Sequence, residues 1–114
     1  MISKKYRFHG HGSLNFVYRN GQSERSAHIA VKATTNSHRE NPRFAVVVSK
    51  KVFKSAVKRN RIRRRIFEII RLQIKPNSPV LDVVFSVYSP EVFDMSHEKL
   101  ESEITGLLKA VNFC

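Results

Sequence analysis

The sequence predicts an α+β fold: a small mixed sheet of three to four strands packed with helices, in the order α-β-β-β-α-β-α. Three observations predict it. Short runs rich in β-branched and aromatic residues recur at 28–33, 44–49 and 80–88, as strands require. Residues 55–73 instead carry a 3.6-residue apolar period, so a long helix separates the last two of those strands. A strand–helix–strand run of this length implies a parallel pair around a crossover. The chain has 114 residues and is 41% hydrophobic, enough for one modest core and hence one domain over residues 1–114.

Taken in order, residues 1–12 are basic and read as a flexible N-terminal arm. The arm holds His9-Gly10-His11-Gly12, but no cysteine or carboxylate lies nearby, so no metal site is assigned there. Residues 13–21 read as a short helix, with Ser13 as its N-cap and Gly21 as its stop. Leu14, Val17 and Tyr18 share one face, which on a plain reading is core. Phe16 and Tyr18 cannot point the same way on a helix, which leaves one ring for stacking. Next, Ile29, Val31 and Ala33 alternate inward on a strand, and Lys32 falls on its other face. The polar stretch 34–42 reads as a hairpin loop. The almost unbroken apolar run 44–49 reads as a central strand.

The long helix starts near Ser55, whose hydroxyl can cap the first free amides. Ile62, Ile66, Ile69 and Ile70 form an apolar stripe, closed by Gln73, while Asn60, Arg61, Arg64, Glu68 and Arg71 project to the opposite side. Two prolines, Pro76 and Pro79, break the chain, and Leu81, Val83, Phe85 and Val87 then form one face of the last strand. Asp94 or Ser96 caps a final amphipathic helix carrying Leu100, Ile104, Leu107, Leu108 and Val111, in which Gly106 is a weak point.

Charge points to the partner. The formal net charge is +12 and the sequence pI is about 10.5. Nine of the sixteen residues from Lys50 to Arg65 are Lys or Arg, and none is acidic. An ordinary solvated face mixes both signs; here the repulsion is uncompensated until a polyanion arrives. Guanidinium forks match phosphate oxygens in pairs. Lys50, Lys51, Lys54, Lys58, Arg59, Asn60, Arg61, Arg63, Arg64 and Arg65 are therefore the candidate RNA-binding residues. No apolar run is long enough for a membrane span, and the basic start lacks the apolar segment of a signal peptide. The single cysteine, Cys114, excludes an internal disulfide and fits a reducing cytoplasm. No Ser/His/Asp spacing, zinc pattern, glycine-rich phosphate loop or paired carboxylates appear, so no catalytic residue is assigned on this chain.

Ser49-Lys50-Lys51, a short spacer, Arg59-Asn60-Arg61-Ile62, the basic Arg63-Arg64-Arg65 and then Glu68 resemble the signature of the bacterial ribonuclease P protein subunit. The resemblance extends to the first helix ending at Gly21, followed by Ser23, and to the late strand and C-terminal helix. It implies a left-handed crossover around the basic helix, where handedness rules alone favour the right-handed form. It also implies that the chain binds a large catalytic RNA, one protein per RNA, and that together they cut the 5′ leader from precursor tRNA. Mg²⁺ ions held mainly by that RNA would do the hydrolysis. Arg59, Asn60, Arg61, Arg63, Arg64 and Arg65 would contact the catalytic RNA, and the sheet with the first helix would form a cleft for the single-stranded leader. This sequence departs from the pattern at Phe8, at Leu14 where an aromatic is common, and at Lys32 where tyrosine is common. Phe16, Tyr18 and Lys32 are the leader-binding candidates, by stacking on bases or offering a cation to phosphates. A ribosomal or other structural RNA-binding protein of similar size and charge is the main alternative. A DNA-binding protein is another, although no helix-turn-helix spacing or dimer seam supports it.

Overall fold

The computed structural model describes residues 4–8, 11–36 and 39–113. A 3-10 turn at Lys4–Tyr6 leads to helix α1 (His11–Asn20), strands β1 (Gln22–Arg25), β2 (Ile29–Thr35) and β3 (Arg43–Val48), and helix α2 (Ala56–Gln73). Strand β4 (Leu81–Val87), a second 3-10 turn at Pro90–Asp94 and helix α3 (His97–Ala110) complete the chain. The element order is the expected one. Strand β1, polar throughout, is the strand that periodicity alone did not locate.

The sheet runs β1-β2-β4-β3, with β3 and β4 parallel and the other pairs antiparallel. Residues 34–42 are therefore not a hairpin loop: β4 lies between β2 and β3, and the loop crosses it. The apolar run of β3 is likewise not a central strand but the last strand of the sheet. Its burial has another source. The N-terminal segment covers its free edge, with Arg7 bridging Phe44 and the Phe8 amide donating to the Phe44 carbonyl at 3.1 Å. Residues 4–8 thus lie against β3, and His11 and Gly12 belong to α1. His9 and Gly10 lie outside the described residues.

One face of the sheet carries Ile29, Val31, Phe44, Val46, Val83 and Phe85, packed against Ile62, Ile66, Ile69 and Ile70 of α2 and Leu100, Ile104 and Leu108 of α3. Burying each such side chain contributes roughly 1.5–3 kcal/mol before entropy is counted. The other face is thinner. There Val17, Ala45, Val84 and Phe8 cluster with the partly buried Leu14 and Val47. Helix α1 begins at His11, so Ser13 lies within its first turn and is not its N-cap. Of its expected core face, Val17 is fully buried and Leu14 partly, but Tyr18 is exposed. Asp82 is the one buried charged residue among those described, and Arg43 donates to both its carboxylate oxygens at 3.0 and 2.7 Å. Asn36 donates a third bond at 2.8 Å, so the carboxylate is structural.

Candidate nucleic-acid interface

The basic run starts where β3 stops. Amides of Val52 and Phe53 donate to the Ser49 carbonyl at 3.1 and 3.2 Å, folding residues 49–53 into a tight turn. Ser55 then caps α2, accepting from the Lys58 amide at 3.3 Å. No acidic residue occupies the first helical turn, so the positive end of the helix dipole adds to the lysines and arginines around it. A phosphate is the natural counter-charge for such an end.

The ten candidate residues divide by geometry. Lys50, Lys51, Lys54, Lys58, Asn60, Arg61 and Arg64 are exposed, the first three in the turn before α2, and Asn60, Arg61 and Arg64 on the side of α2 away from the buried isoleucine stripe. Arg59, Arg63 and Arg65 are half-buried. Arg59 turns back and donates to the carbonyls of Phe53 and Lys54 at 2.8 and 2.9 Å, stapling the turn to the helix. Arg63 donates to Asn60 Oδ1, and burial, followed by the Arg59 charge, lowers its pKa from the usual guanidinium value. Arg65 reaches three backbone carbonyls beyond β4. Further along, Glu68 pairs with Arg71 across one helical turn.

A cleft of 540 Å³ opens between the N-terminal segment, α1, β3 and α2. Phe8, Leu14, Ala45, Val47 and Phe67 give it apolar walls, and Lys4, Arg7 and Arg63 bring cations to it. Arg7 Nε is buried there without a hydrogen-bond partner among the described residues. Apolar surface for a base beside cations for its phosphates is what a single strand needs. Phe16, Tyr18 and Lys32 are not among the lining residues. Tyr18 and Lys32 do meet: Lys32 Nζ donates to the Tyr18 carbonyl at 2.9 Å and sits 5.6 Å from the ring centre. Phe16 is exposed, two residues before Tyr18 and so on a different side of α1. Sequence reasoning missed Lys4, Arg7, Ala45, Val47 and Phe67. The alternation of β3 could have found Ala45 and Val47, but Lys4 and Arg7 come from folding the chain start along β3.

No nucleophile relay is assembled at the histidine nearest two carboxylates. His28 Nδ1 lies 2.9 Å from Glu103 and Nε2 lies 3.0 Å from Glu91, so both ring nitrogens are occupied. The Ser26 hydroxyl donates to Glu103, not to His28. Among the described residues no three His, Cys, Asp or Glu side chains converge as metal ligands. No helix among them is long and apolar enough to cross a membrane.

Comparison with known proteins identifies the family. The family model described as Ribonuclease P matches residues 2–112. The ribonuclease P protein component of a Cyanothece species is 30% identical over 95% of this chain and 93% of its own length. That of a Synechococcus species is 30% identical over 96% of this chain and 94% of its own. The solved RNase P protein of Staphylococcus aureus shares the fold, with a TM-score of 0.84 at 24% identity over 95% of this chain and 96% of that one. A family match spanning almost every residue, on a fold that sets a basic helix against a sheet, means that the chain belongs to the ribonuclease P protein family, the protein components of a ribonucleoprotein endoribonuclease of tRNA 5′ processing whose partner is the ribonuclease P RNA.

Proposed function

We propose that this chain engages two RNAs through two separate surfaces. The observation that carries the reading is the division of the basic segment. Lys50, Lys51 and Lys54 in the turn before α2, and Lys58, Asn60, Arg61 and Arg64 on α2, are exposed, while Arg63 lies along the cleft. This exposed outer side holds the catalytic RNA, one protein per RNA. The cleft, with Arg63, Lys4 and Arg7 on its walls, receives the 5′ leader of precursor tRNA, and Tyr18 and Lys32 extend it along α1. Arg59 supports the outer side through its bonds to the preceding turn. The complex works in the cytoplasm.

The hydrolytic chemistry belongs to the RNA and to Mg²⁺ held mainly by it. The described residues of this chain offer neither a nucleophile relay nor a cluster of metal ligands to hold such an ion. The protein's part is to bind and orient. The test is reconstitution. Purified chain alone should not cut precursor tRNA at any Mg²⁺ concentration, and should raise cleavage when the matching RNA is added. It should also tighten binding of precursor over mature tRNA. Specific cleavage by RNA-free protein, or equal effects on both tRNAs, would overturn the reading.

A further inference from the structure

The connection from β4 to α3 is anchored at both ends. Ser89 caps it, its hydroxyl accepting from the Glu91 amide at 3.3 Å, and Val92 at its centre is fully buried. Carbonyls of this turn and its C-cap, and one aromatic ring, face α2. The Val92 and Phe93 carbonyls accept from Arg65 Nη1 at 3.2 and 3.3 Å, and the Met95 carbonyl accepts from Nη2 at 2.7 Å. The Phe93 ring lies 5.3 Å from Lys58 Nζ and 5.8 Å from Arg61 Cζ. Phe53 braces that ring at 5.6 Å between centres and also meets Lys58 at 5.8 Å.

We propose that the Pro90–Asp94 turn is the positioning element of the RNA-facing side of α2: Phe93 holds Lys58 and Arg61 in their binding orientation, and Arg65 is a tether, not a phosphate contact. The proposal rests on the reading of that side as the contact for ribonuclease P RNA. Its physical basis has two parts. A guanidinium has five N–H donors in a fixed fork, and Arg65 directs its fork at three carbonyls on the protein. Turning it to a phosphate would strand those acceptors. Lys58 and Arg61 are three residues apart on one helix, where like charges repel and long side chains move freely. The negative face of an aromatic ring offsets that repulsion and narrows the rotamers before RNA arrives. Side chains already ordered lose less entropy on binding. An uncharged phenylalanine thus controls the affinity of two cations.

The experiment measures affinity for ribonuclease P RNA against salt, together with melting temperature, for four variants. Phe93→Leu keeps an apolar side chain and removes the ring face. It should weaken binding roughly five- to twentyfold, the effect of two exposed cation–ring contacts. Phe93→Tyr should bind as the unaltered protein does. Neither should change the salt slope, since the phosphate contacts are the same in number. Arg65→Gln should lower the melting temperature and leave the slope unchanged. Arg64→Gln should do the reverse, flattening the slope by roughly one unit. Affinities compared at equal folded fraction keep stability out of the result. Unaltered affinity in Phe93→Leu, equal losses in the Leu and Tyr variants, or an Arg65→Gln slope as flat as that of Arg64→Gln would each overturn the positioning role. If Arg64→Gln also leaves the slope unchanged, α2 is not the RNA contact and both readings fall.

Discussion

At Gly21, one added methyl would test how tightly α1 sits on the sheet. A Cβ there would lie 2.5 Å from the Val17 carbonyl oxygen and 3.1 Å from that of Ala33, both backbone atoms. Neither can move without shifting the helix end or β2. Gly21→Ala should therefore destabilise the fold by roughly 1–3 kcal/mol, read as a lower denaturant midpoint. An unchanged midpoint would mean that the α1–β2 junction is looser than its geometry. The sequence marks Gly21 as a helix stop, but its contact with Ala33 was not legible, because nothing local records which strand the helix end meets. Tyr18 is a contrasting case. Its place on the apolar face of α1 suggested core, yet the ring is exposed beside Lys32. Tyr18→Ala should thus cost little stability. If the ring stacks on a leader base, the holoenzyme should lose roughly 1–3 kcal/mol of affinity for precursor tRNA and none for mature tRNA. Equal losses for both RNAs would remove Tyr18 from the leader site.

Between elements, the junction of the β1–β2 turn with α3 depends on protonation. His28 sits between Glu103 and Glu91, and its amide donates to Glu103 at 3.1 Å. The bond to Glu103, then that to Glu91, raises the His28 pKa above its ordinary 6.5. For Glu103, burial pushes upward, but the bonds from His28 and Ser26 outweigh it and the carboxyl stays below its usual range. The signs follow from linkage. A raised histidine contributes stability in full below pH 6.5, and loses it as pH climbs through the higher folded value. The depressed Glu103 contributes above its ordinary 4.5 and loses it as pH falls through its lower folded value. Stability should therefore decline as pH rises from 6.5 through the higher folded value of His28, and His28→Gln should flatten that decline. A melting temperature equally pH-dependent in both proteins would place the effect elsewhere. This junction also shows where sequence reading stops. Periodicity records which face of a strand is buried, and so found β2, β3 and β4 and the apolar face of α3. It does not record neighbours. Placing β4 between β2 and β3, and the N-terminal segment on the free edge of β3, required the folded chain. The Ser55 cap and the isoleucine stripe of α2 were legible because both are local to one helix.

For the whole molecule, the arrangement of charge matters beyond its sum. Of nine acidic residues, five lie between Glu91 and Glu103, in the turn and helix that pack against α2. A groove of 440 Å³ brings Arg64, Arg65 and Glu68 up to His97, so the start of α3 borders the basic side. A protein of net charge +12 attracts any RNA from many directions. A negative rim next to the binding side penalises approaches that spread past it, which favours the RNA whose shape fits within. Specificity then comes partly from repulsion. Asp94→Asn together with Glu98→Gln removes two exposed charges from that acidic segment and keeps both carboxylate partners of His28, Glu91 and Glu103. Each exposed charge is worth up to about 1 kcal/mol, so affinity for an unrelated structured RNA should rise roughly three- to tenfold. Affinity for ribonuclease P RNA should change much less, because the fitted complex already avoids the rim. The difference should fade in high salt, where exposed charges are screened. The measurement is the ratio of the two affinities in the variant and the unaltered protein at low and high salt. If both RNAs gain by the same factor, the acidic segment only lowers the net charge and takes no part in choosing the partner.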